Sequence, residues 1–412
     1  MTTSWSIPNS PPDGPQVQTC GPFVFPPARH RARYRISVIL CPETRSQYGC
    51  VKAGGQVFCS SSGAGLCGVA SAQQTSQLPT PKEGDFVTHD FHFASGESLL
   101  ELRLHYATLG TPTRDANGKV SNAVLLIHST TSTGRQFLAP QFAGVLFGSG
   151  QLLDVSRYYV ILIDNIGLGK SSKPSDGLHA KFPHYNYGDM VRSQHELPEK
   201  GLGINHLRLL LGTSMGCMHA FLWGESYPDF MDALMPIACQ PVQIAGRNRA
   251  WRKLIIDGIR DDPEWKNGEY AAQPAAAMEI AGETFYIASG SALQMQAKAP
   301  TRDGADAAVK DFAKKFSEEH DATDLLYRME ASRDYDPGPQ LEKIGASVML
   351  VNTADDFINP PELGIAEREI KRVKNGRFVL IPISEQTHGH STYTWAEVWQ
   401  QYLKQLIEVT QH

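Results

Sequence analysis

One stretch constrains this chain more than any other: Leu209-Leu210-Leu211-Gly212-Thr213-Ser214-Met215-Gly216-Cys217-Met218-His219-Ala220. An apolar run ends in Gly-x-Ser-x-Gly, and a helix-like pattern follows. This is the layout of a nucleophile elbow, in which a strand delivers a serine into a sharp turn. The helix behind the turn offers free backbone N–H groups. Gly212 and Gly216 sit where a Cβ would collide with a neighbouring strand or helix. Alone the motif is weak, because five residues of this kind arise by chance. It gains weight from a strand before it, a helix after it, and an acid and a histidine later in the chain.

The surrounding sequence supplies the strands and helices. Phe86 to Phe93 and Leu100 to Tyr106 alternate apolar with polar and read as an antiparallel opening pair. Continuous apolar runs follow at Ala123–Ile127, Tyr158–Ile163, Leu207–Leu211, Ala233–Ile237, Val348–Val351 and Phe378–Ile381. Each suits a strand buried on both faces. Helix-like patterns at Tyr187–Glu199, Ser214–Tyr227, Pro361–Val373 and Thr394–Val409 separate most of them. The expected fold class is therefore α/β: a mostly parallel eight-stranded sheet flanked by helices. The rhythm breaks between Gln240 and Pro339, which holds helical stretches at Asn248–Ile259, Ala305–Glu319 and Asp324–Arg333. A helical insertion there is expected to form a lid over the carboxyl ends of the strands. The domain reading is 1–80 as a loosely attached segment, 81–239 as the first part of the core, 240–339 as the lid, and 340–412 as the second part of the core.

A serine nucleophile needs a base, and the base needs an orienting acid. In this kind of fold they follow in the order Ser, Asp or Glu, His. Asp355 and Asp356 come directly after the Val348–Val351 run, and His388 and His390 come after the Phe378–Ile381 run. A capping aspartate or a solvated loop histidine would each be ordinary. The joint order is much harder to obtain by chance. The oxyanion of an acyl-transfer intermediate requires donors. The Met215 N–H is one, and the loop His128 to Gly134 offers the second at Thr130, with Thr131 the alternative. Gly167-Leu168-Gly169-Lys170-Ser171-Ser172 lacks the full P-loop spacing. His179, His184, His195 and His206 show no metal-ligand spacing, so no catalytic metal and no cofactor are expected.

Composition narrows the partners. A net charge of −5 gives no reason to expect nucleic acid or an anionic membrane, and no apolar run approaches the length of a membrane span. A small-molecule acyl substrate is the expected partner, with a homodimer as the assembly to be tested. Five of the seven cysteines precede residue 80, leaving Cys217 and Cys239 in the rest. The large segment thus reads as stable when reduced, without a disulfide framework. Residues 1 to about 80 are rich in Pro, Gly, Ser and Gln and read as disordered or as a misassigned region. The compartment is expected to be cytoplasmic, with targeting through that segment left open.

At this point the chain resembles the α/β-hydrolase superfamily, and within it the homoserine O-acetyltransferase-like branch, over roughly residues 82 to 408. The resemblance is carried by Gly212 to Gly216, Gly201-Leu202-Gly203-Ile204, Asp262-Pro263, Gly268-Glu269-Tyr270, Asp356-x-x-x-Pro360 and Gly389-His390. It implies Asp356 as the acid and His390 as the base, and an acyl group carried on Ser214. Homoserine acetyltransferases have a lid arginine that binds the amino-acid carboxylate. The matching position here is Ile256, so homoserine as acceptor does not follow. Arg247, Arg249 and Arg252 stand nearby, and Arg247 and Arg252 are the candidate substrate-binding residues for some other anionic group. The leading expectation is a serine hydrolase cleaving an ester or related acyl bond. The alternative is an O-acyltransferase using acyl-CoA and an alcohol, and the last is a non-catalytic binding protein with a damaged triad.

Overall fold

The computed structural model describes residues 78–410. The readings of the N-terminal segment, its five cysteines included, lie almost wholly outside the described residues. The strands are β1 (Lys82–His92), β2 (Ser98–Leu109), β3 (Ala123–Ile127), β4 (Tyr159–Ile163), β5 (Leu209–Thr213), β6 (Ala233–Ile237), β7 (Ser347–Thr353) and β8 (Gly376–Ile381). They form one eight-stranded sheet in the order β1-β2-β4-β3-β5-β6-β7-β8. β1 with β2 and β2 with β4 are antiparallel, and all other pairs are parallel.

The helices are α1 (Pro140–Leu146), α2 (Tyr187–Glu196), α3 (Met215–Ser226), α4 (Gly246–Asp261), α5 (Ala275–Ser289), α6 (Ala292–Lys298), α7 (Arg302–Glu319), α8 (Ala322–Ala331), α9 (Ile365–Glu369) and α10 (Ala396–Val409). The period of two along the central strands sorts their side chains to two faces. Leu125, Ile127, Leu210, Leu234 and Leu350 pack with α2 and α3, through Met190, Phe221 and Trp223. Val124, Leu126, Leu209, Leu211, Met235 and Met349 pack with α1 and α10, through Phe142, Leu146, Trp399 and Leu403. Both faces are covered, which is why these strands read as unbroken apolar runs.

Five helices, α4 to α8, lie between β6 and β7, with an apolar core of their own built on Trp251, Ile255, Ile259, Met278, Phe285, Phe316 and Leu325. Ile358, from the loop after β7, joins that core and ties the helical layer to the sheet edge. Among the described residues, no helix is long and apolar enough to cross a membrane.

Two expectations are corrected. The helix expected over Pro361–Val373 is broken: Gly364 has φ +60°, and only Ile365–Glu369 is α-helical, with 3-10 turns on either side. A left-handed residue cannot continue a right-handed helix. The large segment is also not free of disulfides. Cys217, in the first turn of α3, is bonded to Cys239, just beyond β6, with the Cα atoms 5.8 Å apart. The two are 22 residues apart in sequence, so spacing alone did not reveal that β5, α3 and β6 fold back to bring them together.

Candidate active site

The elbow fixes its serine by steric necessity. Ser214 has φ 52° and ψ −107°, outside the comfortable regions for an L-residue. Its N–H donates to the Ile237 carbonyl (2.9 Å), and the Gly216 N–H donates to the His128 carbonyl (3.1 Å). A Cβ at Gly212 would fall 1.9 Å from the Gly216 oxygen, and one at Gly216 would fall 2.0 Å from the Ile127 oxygen. Only glycine lets α3 start this close to β3 and β5.

From Ser214 a line of hydrogen bonds runs inward. Its Oγ is 2.8 Å from His390 Nε2, and His390 Nδ1 is 2.9 Å from Asp356 Oδ2. Asp356 is 2% exposed, yet its carboxylate is well supplied with donors. The Ile358 and Asn359 N–H groups reach Oδ1 at 2.8 and 3.0 Å, and Asn359 Nδ2 reaches Oδ2 at 3.1 Å. Burial pushes the Asp356 carboxyl upward; the adjacent His390 and the bonds from His390 and Asn359 outweigh it, holding the carboxyl below its usual range. Asn359 also donates to the Ala238 carbonyl (3.0 Å), which pins this loop to the end of β6.

The neighbouring candidates go elsewhere. Asp355 accepts from the Thr387 hydroxyl (2.9 Å) and the Gly389 N–H (3.1 Å), holding the histidine loop in place. His388 stacks on Trp395, ring centres 4.2 Å apart.

The loop after β3 closes the other side. His128 is fully buried, and burial lowers its pKa to about 4, so the ring is neutral. Its Nδ1–H donates to the Ser129 carbonyl (2.7 Å), while Nε2 accepts from the Asn165 N–H (3.0 Å). Gln136 bridges Ser129 to Thr213 on β5. Among the described residues, neither the Met215 nor the Thr130 N–H has a partner within the protein. The Thr130 carbonyl, by contrast, accepts from Arg328 Nη1 on α8 at 3.0 Å. Sequence reasoning singles out neither Arg328 nor Asn359. Asn359 stands inside the Asp356-x-x-x-Pro360 pattern. Nothing local marks Arg328, because its partner lies 198 residues away.

These elements enclose a cavity of about 210 Å³, with Ser214, His390, Thr130 and Thr131 on the sheet side and Trp251, Arg252, Phe285 and Phe316 from the helical layer. The two candidate arginines part company. Arg252 lines this cavity. Arg247 is exposed on an outer groove, its guanidinium 3.8 Å above the Phe357 ring, and does not reach the cavity. It lies near the start of α4, more than a turn before Arg252, and turns to the opposite side. Ile256 packs inside the helical layer's apolar core. Chemically, this arrangement can move a proton from a serine hydroxyl to an imidazole whose far side is held by a carboxylate.

Residues 122–383 match the family described as alpha/beta hydrolase fold. The chain belongs to the α/β-hydrolase superfamily. Within it, this α/β-hydrolase falls in the homoserine O-acetyltransferase-like branch. It is 30% identical over 279 residues to a probable acyltransferase of Methanothermobacter thermautotrophicus, covering 68% of this chain and 84% of that one. It is 28% identical over 310 residues to a homoserine O-acetyltransferase of Haemophilus influenzae, covering 68% and 85%. A solved acetylester hydrolase from Corynebacterium glutamicum superposes with a TM-score of 0.69 at 21% identity, over 79% of this chain and 96% of that one. The protein is an enzyme of hydrolase fold, esterase-like or acyltransferase.

Proposed function

We propose that this α/β-hydrolase is a serine hydrolase that cleaves an ester or related acyl bond through an acyl-enzyme. One observation carries the reading: a serine at a strained turn, 2.8 Å from a histidine that is 2.9 Å from a buried carboxylate, at the floor of a cavity. His390 Nε2 takes the Ser214 proton as Oγ attacks the acyl carbon. The Met215 and Thr130 N–H groups, unpartnered among the described residues, donate to the oxyanion. Collapse breaks the bond to the alcohol, which leaves with the proton from His390. Water, deprotonated by the same imidazole, then releases the acid and restores Ser214. Asp356 keeps Nδ1 protonated and stabilises the imidazolium.

A second reading, transfer of the acyl group to an alcohol, is favoured by the acyltransferase names of the relatives and by a cavity covered by an apolar helical layer. The apolar Ile256 favours the hydrolase over a homoserine transferase. A fluorophosphonate probe tests the serine chemistry: labelling is expected in the native enzyme and absent in Ser214→Ala. No labelling, or equal labelling of both, defeats it. The fate of an acetyl-enzyme made from an aryl ester then separates the readings. Prompt release to water supports the hydrolase; slow release that an added alcohol accelerates many-fold supports the transferase.

A further inference from the structure

Two guanidinium groups are buried near Ser214, and they are treated differently. Arg328 is built into the fold: Nη1 donates to the Thr130 carbonyl at 3.0 Å, Nε donates to the Asp324 carbonyl at 3.0 Å, and the Asp324 and Asp321 carboxylates favour its charge. Arg252 is only 2% exposed and lines the cavity that holds Ser214. Its Nε–H donates to Asn248 Oδ1 at 3.1 Å, and its guanidinium lies 4.7 Å from the centre of the Trp251 ring. Its Nη1 is buried with no partner among the described residues. The groups that act on its charge are the Tyr187 hydroxyl and a second cation, Arg249; no carboxylate is among them. The Tyr187 hydroxyl lies beside Arg252 and favours its charge, but it meets hydrogen-bond geometry with no group among the described residues. A buried cation without a counter-ion is expensive, and the cost is offset only when an anion arrives.

We infer that Arg252 is the anchor for a carboxylate on the substrate, so that the ester attacked by Ser214 carries a negative charge on one of its two halves. This rests on the serine chemistry proposed above and names the class of ester. A guanidinium with Nη1 unpaired matches a carboxylate oxygen, and the Asn248 bond holds the fork in orientation. The cavity, about 210 Å³, is below the roughly 300–1,000 Å³ of sites for drug-sized ligands, so the ester is short. The charge belongs either to the alcohol half, as in the acetyl ester of a small hydroxy acid, or to the acyl half, as in a hemiester of a short dicarboxylic acid.

The test pairs each charged ester with its neutral amide: O-acetyl glycolate with O-acetyl glycolamide, and ethyl hemisuccinate with ethyl succinamate. Acid release is followed for the native enzyme, Arg252→Met and Arg252→Lys. One charged ester should be preferred over its amide by about tenfold or more in kcat/KM. That preference should vanish in Arg252→Met and survive in part in Arg252→Lys; which pair shows it identifies the half that carries the charge. No preference in either pair, or an undiminished one in Arg252→Met, overturns the inference. A second measurement needs no variant and no turnover. Trp251 lines the cavity, so its fluorescence should report binding of glycolate about tenfold tighter than glycolamide, or of succinate over succinamide. Equal binding of acid and amide in both pairs also overturns the inference. If Ser214 takes no probe, the hydrolase reading fails, while the acid-over-amide difference in binding still decides the role of Arg252.

Discussion

At the residue scale, Ser214 shows how the site stores conformational strain. Its φ of 52° is forced by the turn, which the Ile237 carbonyl and the two glycines hold in place. A left-handed conformation of a non-glycine residue costs on the order of 1 kcal/mol. Ser214→Gly and Ser214→Ala both remove the hydroxyl, but only glycine relieves the strain. Ser214→Gly should be more stable than Ser214→Ala by about 1 kcal/mol in urea unfolding, with both variants inactive. The neighbouring acid pair carries a different lesson. Asp355 and Asp356 are equivalent by strand position, and it is the Asp356-x-x-x-Pro360 resemblance that points to Asp356. Their roles diverge because Asn359 and the Ile358 N–H face one carboxylate, while Thr387 and the Gly389 N–H face the other.

Elements communicate with the site through two long-range ties. Arg328 on α8 reaches the Thr130 carbonyl, so the helical layer sets the angle of the loop after β3. In Arg328→Met the volume is nearly kept and that bond is lost. Losing one oxyanion-hole donor outright costs about 10²–10³ in kcat. A donor left in place but misaimed should cost less, about tenfold, with KM for a small aryl ester little changed; steady-state kinetics read the split. The second tie is Cys217–Cys239, which joins the first turn of α3 to the end of β6. Closing a loop of that length contributes about 3 kcal/mol. Thermal unfolding in the presence of a thiol reductant, or of Cys217→Ala with Cys239→Ala, should show a loss of that order. The broken segment around Gly364 belongs at this scale as well. Its apolar spacing suggests a helix, but the glycine's left-handed conformation divides it.

Across the whole molecule, buried neutral histidines couple folding to protons. Burial lowers His219 from 6.5 to about 3. Gln194 holds its Nδ1, while Nε2 has no partner among the described residues. The unfolded chain binds this proton below pH 6.5 and the folded chain does not, so the stability tied to it is complete above pH 6.5 and falls with pH toward 3. A single such group contributes a slope of about 1.4 kcal/mol per pH unit over that window. His219→Gln should therefore flatten the acid limb of stability by up to about that slope, measured by urea unfolding at pH 7, 6 and 5. An unchanged slope would mean that His219 is protonated in the folded protein.

The sequence alone determined where the strands lie along the chain, the α/β alternation and the elbow, because these rest on local rules. Unbroken apolar runs mark strands covered on both faces, and Gly212 and Gly216 are required by atoms within the same short turn and the strand beside it. The order of Ser214, the aspartate pair and the histidine pair was legible for the same reason, since each follows a strand. The resemblance already pointed to Asp356 and His390 over their neighbours, and the tertiary structure supplies the contacts that set each pair apart; only the tertiary structure separated Arg252 from Arg247. It also decided that Cys217 meets Cys239 and that Arg328 holds Thr130. The disulfide and the Arg328 bond join residues distant in the chain, and local periodicity carries no trace of them.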